Sequence, residues 1–144
     1  MENINRRDFI TRSVIAGGKL CGLAMIASAL QSCTNVKYLQ GAENNGRIAV
    51  RKADMGEDKF VVVRSEKTQA PIYLTKAGNN AYTALLMLCT HKQCELRPTG
   101  TFLTCPCHGS EFSNTGQVLK EPADKDLVNY NVTSDETSIY IHLK

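Results

Sequence analysis

The chain has 144 residues, 42% hydrophobic, 22% charged and 6% aromatic, which leaves room for one small domain with appendages and excludes two full catalytic domains. Of the formal net charge of +3, Arg6, Arg7, Arg12 and Lys19 against Glu2 and Asp8 account for +2, so the remainder carries about +1 and no electrostatic footprint for nucleic acid. Six cysteines are many for a reduced cytosolic chain, and four of them fall between Cys89 and Cys107 beside two of the three histidines, a clustering that points to a metal or redox site.

In chain order, residues 1–32 read as a targeting segment. Basic Arg6-Arg7, an apolar stretch from Leu20 to Leu30 and the small-residue run Leu30-Gln31-Ser32-Cys33 follow one another as head, middle and cleavage site. The paired arginines with Phe9 two residues on resemble a twin-arginine signal, used for proteins exported already folded, typically with a cofactor inserted beforehand. Leu30-x-Ser32-Cys33 resembles a lipoprotein box, which would make Cys33 the lipidated mature N-terminus. The competing reading is an uncleaved membrane helix over residues 13–30, with Lys19 snorkelling to the interface; Gly17, Gly18, Gly22 and the alanine content weaken it. Either way the remainder is expected outside the cytoplasm and tethered to a membrane. Cys21, within the apolar segment, reads as a small hydrophobic filler.

Residues 33–46 are polar and lack an apolar period, and are expected to form the lipidated N-terminus and a tether. From 47 to 144 the chain reads as one domain. Strands are expected at Arg47–Arg51, Lys59–Ser65, Pro71–Lys76, Tyr82–Leu88, Thr101–Thr104, Val128–Thr133 and Ser138–His142. Hairpin turns are expected at Gly78-Asn79-Asn80 and Ser134-Asp135-Glu136, and nothing helical is long enough to compete, so the fold class is all-β. His142 alternates with Ile141 and Leu143 and reads as an ordinary solvent-facing strand residue.

Two loops carry the chemistry: Cys89-Thr90-His91-Lys92-Gln93-Cys94 and Cys105-Pro106-Cys107-His108-Gly109-Ser110. Thiolates suit zinc and iron–sulfur clusters and imidazole suits zinc and iron, so ligand type leaves both open. Spacing disfavours zinc, because structural zinc sites pair cysteines in knuckles with histidines on a following helix, and here cysteine and histidine alternate on two loops with no helix after them.

At these residues the chain resembles the Rieske 2Fe-2S family, whose loops read C-T-H-x-G-C and C-P-C-H-G-S; the second loop matches at all six positions. A weaker likeness continues through Gly116-Gln117-Val118-Leu119, Pro122-Ala123, Leu127 and Tyr130. The resemblance implies stacked antiparallel sheets with a two-loop cluster-binding subdomain and one Rieske 2Fe-2S cluster. Cys89 and Cys105 would bind one iron and His91 and His108 the other, Cys94 and Cys107 would form a disulfide joining the loops, and Ser110 would donate a hydrogen bond to a bridging sulfide. Two imidazoles in place of two thiolates raise the reduction potential, to about −150 to +300 mV for the class. An imidazole on oxidised iron loses its proton more readily, so reduction can carry a proton.

The extra cysteine pair favours the quinol:cytochrome oxidoreductase branch over Rieske ferredoxins and ring-hydroxylating oxygenases. An oxygenase also needs two further histidines and a carboxylate for its iron, and His142 is the one histidine left. Departures from the family pattern matter as well. Lys92 and Gln93 replace a leucine and a glycine, putting charge on an otherwise apolar docking tip and a side chain at a position that favours positive φ. Phe112 stands where high-potential members carry a tyrosine that donates to a ligand sulfur, which implies a lower potential within the class. Pro106 reads as a stiffener of its loop.

The expected function is therefore a membrane-tethered, extracytoplasmic electron carrier, an electron-transfer component rather than an enzyme alone. Its partner would be a cytochrome, a quinol-oxidising bc-type membrane complex, or the large subunit of a periplasmic molybdenum oxidoreductase resembling arsenite oxidase. The reading from a different class is a zinc-stabilised, non-redox lipoprotein.

Overall fold

The computed structural model describes residues 36–143 apart from Asn79. The targeting segment, Cys21 and Cys33 lie outside the described residues. The described strands are β1 (Tyr38–Gln40), β2 (Ala42–Asn44), β3 (Arg47–Arg51), β4 (Phe60–Arg64), β5 (Ile72–Gly78), β6 (Ala81–Leu86), β7 (Arg97–Pro98), β8 (Phe102–Thr104), β9 (Glu111–Ser113), β10 (Val118–Lys120), β11 (Asn129–Ser134) and β12 (Ser138–His142). A four-residue helix, α1 (Lys52–Met55), follows β3. The larger sheet has the order β1-β4-β5-β6-β11-β12-β3-β2 and the smaller one β10-β9-β8-β7. The all-β expectation holds.

Period-2 alternation explains why β4 to β6 form the centre. Val61 and Val63 of β4, Ile72 and Leu74 of β5 and Ala84 of β6 join Ile48, Ile139 and Ile141 in one buried core. The intervening Val62, Tyr73 and Leu85 point the other way, into a second core shared with Leu96, Leu103 and Phe112. Both faces of these strands are thus covered along residues 61–63, 72–74 and 84–86, where their runs are apolar without a break. The second core is the platform on which the two cysteine-histidine loops sit.

The segment expected to be a tether departs from that reading. From Tyr38 the chain is in the sheet: β1 runs parallel to β4, and β2 runs antiparallel to β3. Both are edge strands whose side chains stay largely exposed, so backbone pairing leaves no apolar period in the sequence. Between them stands Gly41 alone, and its N–H donates to the Arg64 carbonyl at 3.0 Å. The two edge strands of the sheet, β1 and β2, are thus consecutive in the chain, and this corner joins them. A Cβ at Gly41 would collide with Cγ2 of Ile48 and lie 3.1 Å from Cγ1 of Val63, both core side chains.

β7, β9 and β10 were not anticipated; at two or three residues they are too short to show alternation. The β11–β12 hairpin forms as expected. At its turn the Tyr140 hydroxyl, 2.7 Å away, and the N–H groups of Thr137 and Ser138 hold the Asp135 carboxyl down at about 2. His142 is half-buried on β12, its Nε2 2.8 Å from Oγ1 of Thr133, between buried Ile141 and partly buried Leu143.

Replacing Gly41 by valine is expected to overpack this corner and lower the unfolding free energy by about 1–3 kcal/mol. Chemical denaturation of the purified chain checks it, and an unchanged midpoint would show that the corner has room to spare.

Candidate functional site

The first loop begins where β6 runs out and returns through the bridge between Leu88 and Glu95; the second connects β8 to β9. Their backbones are closed by the same pair of hydrogen bonds. In the first, Cys89 N–H donates to Cys94 O and Gln93 N–H to Cys89 O, both at 2.8 Å. In the second, Cys105 N–H donates to Ser110 O at 2.8 Å and Gly109 N–H to Cys105 O at 3.0 Å. The fifth residue of each loop takes the left-handed conformation: φ is 56° at Gln93 and 80° at Gly109. Gln93 therefore bends its loop as a glycine would, and the departure from the family pattern changes the cost of the turn rather than its shape.

Each loop opens on a buried cysteine. Cys89 is 1% and Cys105 2% exposed, both are free thiols, and both belong to the second core with Leu96, Leu103 and Phe112. The histidines lie further out, His91 half-buried and His108 exposed, with ring centroids 4.9 Å apart and planes at 79°. Cys94 and Cys107 form a disulfide that ties one loop to the other. Cys105 Sγ lies within 4.8 Å of both disulfide sulfurs, but those two are spent in their own bond, which leaves Cys105 as the thiol of that group.

One atom is out of place in a purely structural reading. Nδ1 of His91 is buried and has no hydrogen-bond partner among the described residues. Leaving a buried polar group unmatched costs about 1–3 kcal/mol, and this one belongs to a ring whose centroid lies 4.9 Å from that of a second imidazole. The donor set of two thiols and two imidazoles fits a mixed-ligand iron–sulfur cluster.

A third segment braces the loops. The Thr90 hydroxyl donates to the Lys125 carbonyl at 2.6 Å, and Ala123 N–H donates to Oγ of fully buried Ser110 at 3.1 Å. A hydroxyl has one proton and two lone pairs, so accepting from Ala123 leaves the Ser110 proton free to donate toward the loops. Leu127 N–H donates to Gly116 O at 2.8 Å, and a Cβ at Gly116, where φ is 91°, would stand 2.9 Å from Leu85. Tyr73 donates its hydroxyl proton to Asn114 Oδ1 at 3.1 Å, and burial pushes its pKa up, keeping that proton in place. The Thr90–Lys125 and Tyr73–Asn114 contacts were missed by sequence reasoning, since one ends on a backbone carbonyl and the other on a distant loop that no pattern marks. Phe112 is fully buried and packs in the second core with Leu103 and Cys105.

Residues 36–131 match the Rieske 2Fe-2S domain. The chain belongs to this family. Its cofactor is a Rieske 2Fe-2S cluster and its work is electron transfer. The chain is 34% identical over 97 residues to the cytochrome b6-f complex iron-sulfur subunit of Trichodesmium erythraeum (strain IMS101), covering 65% of itself and 48% of that protein. With the ubiquinol-cytochrome c reductase iron-sulfur subunit of Rickettsia typhi (strain ATCC VR-144 / Wilmington) it shares 30% identity over 152 residues, covering 85% and 84% of the two chains. It thus spans about half the length of the first relative and most of the second. The crystal structure of the cyanobacterial plasma membrane Rieske protein from Synechocystis PCC 6803 superposes with a TM-score of 0.55 at 31% identity, covering 64% of this chain and 97% of that one.

The equivalent turns give this Rieske domain an internal control. Gly109→Ala adds a Cβ that meets nothing within 4 Å, so its effect is conformational alone, and it is expected to destabilise by about 1 kcal/mol. Gln93→Gly removes the same penalty from the first loop and is expected to raise stability by up to about 1 kcal/mol. Thermal unfolding of both variants checks the pair, and shifts of the same sign would refute the equivalence.

Proposed function

We propose that Cys89 and Cys105 ligate one iron of the cluster and His91 and His108 the other, in a Rieske protein exported by its twin-arginine-like signal and held at a membrane through Cys33 or an N-terminal helix. The observation that carries the ligand assignment is the buried Nδ1 of His91, without a partner among the described residues, in a ring 4.9 Å from that of His108. When bound, the cluster takes up and gives back one electron. The residues around it divide the remaining tasks. Buried Cys89 and Cys105, with Leu96, Leu103 and Phe112 behind them, keep water from the inner side. His108, exposed, and His91, half-buried, form the outer edge where electrons enter and leave. Ser110 is placed to donate a hydrogen bond toward the cluster and so to stabilise its reduced form.

The donor and acceptor fit two readings. Similarity to subunits of cytochrome b6-f and ubiquinol-cytochrome c reductase complexes supports a place in a quinol-oxidising complex. Exposed Lys92 and Gln93 at the tip of the first loop favour a partner with a polar, acid-bearing docking face, as a large periplasmic oxidoreductase subunit could supply. Co-purification with a cytochrome b or with a large molybdenum subunit separates the two.

Electron paramagnetic resonance of the reduced full chain is expected to show a rhombic signal of mixed histidine and cysteine ligation. His108→Ala should abolish it and Lys92→Ala should leave it intact; a normal cluster in the first variant would sink the assignment. The midpoint of the unaltered chain is expected in the low to intermediate part of the class range of about −150 to +300 mV. Ser110→Ala should lower that midpoint, by loss of a donor, and Phe112→Tyr should raise it. A potentiometric titration reads both, and an unchanged midpoint for Ser110→Ala would remove the serine from the cluster's hydrogen-bond shell.

A further inference from the structure

Three sulfurs, those of Cys94, Cys105 and Cys107, lie within 4.8 Å of one another, yet the bond joins Cys94 to Cys107 and Cys105 keeps a free thiol. A free sulfur held that close to a disulfide has the makings of thiol–disulfide exchange, a reaction that needs no outside oxidant or reductant. The disulfide is also open to water. Cys107 is exposed, and Cys94, Glu95, Arg97, Pro106 and Cys107 line one surface groove.

We propose that in the cluster-free chain Cys105 is an intramolecular nucleophile toward the disulfide, and that cluster binding blocks it. Sγ of Cys105, within 4.8 Å of Sγ of Cys94, attacks it and loses its proton as the new bond forms. The Cys94–Cys105 bond forms, the Cys94–Cys107 bond breaks, and Cys107 leaves as a thiolate that takes a proton from water. One disulfide replaces another, so electrons balance. Attack on Cys107 instead would close a ring across Pro106 alone, whose fixed φ opposes it. Departure of Cys107 also puts the new charge on the exposed sulfur rather than on half-buried Cys94.

The consequence is a trap. Once Cys105 is in a disulfide it has no free sulfur for iron, so a chain that acquires its disulfide before its cluster drifts into a form that cannot be loaded. Cluster and native disulfide protect each other: iron occupies the Cys105 sulfur, and the loops stay joined through Cys94 and Cys107. The blocking half of this inference rests on the ligand assignment proposed above.

The test compares loaded wild-type full chain with the His108→Ala chain, both incubated for hours under argon in mildly alkaline buffer, quenched with iodoacetamide and mapped by mass spectrometry. In the His108→Ala chain, a peptide pair joined through Cys94 and Cys105 is expected to grow with time, with alkylation moving to Cys107. Neither should appear in the loaded chain, or in His108→Ala carrying Cys105→Ser. Retention of Cys94–Cys107 as the sole bridge in the His108→Ala chain, with Cys105 alkylated, would overturn the proposal. So would bridges to Cys89 in proportion to those at Cys105, the pattern of an unfolded chain, which a parallel incubation in denaturant supplies for comparison. Alkylation of Cys105 in the loaded chain with its visible absorption intact would instead defeat the ligand assignment, and the protection with it.

Discussion

The arrangement rests on three strands that are apolar on both faces. Val61, Val63, Ile72 and Leu74 close the core of the larger sheet, and Val62, Tyr73 and Leu85, one residue out of phase, carry the loops. Full burial of one such side chain is worth about 1.5–3 kcal/mol, which is more than any single hydrogen bond in the loops contributes. The loops are short and polar and have no core of their own. Their cysteines supply one: Cys89 and Cys105 are packed with Leu96, Leu103 and Phe112 as small hydrophobes. The placement of the two thiols is thus a by-product of core packing.

Within the loops, geometry is fixed twice over. Two identical hydrogen-bonded turns orient the backbone, and the Cys94–Cys107 bond holds the turns to each other. The symmetry is one of backbone and not of ligands. Histidine follows cysteine by two residues in the first loop and by three in the second, which leaves His91 half-buried and His108 exposed. An edge with one sheltered and one open imidazole has a single outward direction for a partner. Where the turn residue is glutamine rather than glycine, the chain accepts a conformational cost of about 1 kcal/mol in exchange for a polar side chain beside that edge.

How much of this could be read beforehand follows from which faces are buried. Arg47–Arg51 and Ser138–His142 match their strands to the residue, because each buries one face and exposes the other, and alternation marks both ends. Val61–Val63 reads as a strand by its β-branched side chains, but its two-sided burial erases the period that would have assigned each residue to a core. Tyr38–Asn44 was illegible because edge strands can pair through backbone alone. The two loops were legible in their cysteines and histidines, and of the pairings implied there the Cys94–Cys107 disulfide is formed. The braces of the loops were not. The Thr90 hydroxyl on the Lys125 carbonyl and the Ala123 N–H on Ser110 are contacts to main-chain groups, which every residue offers and no sequence pattern distinguishes.

Ser110 and Phe112 show why neighbouring residues of a redox site do not have equivalent roles. The serine oxygen accepts from a buried N–H, and its proton remains available, so one hydroxyl braces the fold and keeps a donor to spare. Removing it strands the Ala123 N–H at a cost of about 1–3 kcal/mol, so the drop in potential proposed for Ser110→Ala would come with a loss of stability. Phe112 has no polar atom and is held by packing alone, so it contributes apolar area to the platform and nothing to the cluster's charge. A tyrosine there would add a donor and one more heavy atom at a fully buried position, and a gain in potential would come with a cost in packing. The potential of this domain is therefore constrained by its core: donors can be added only where the platform can also accommodate them.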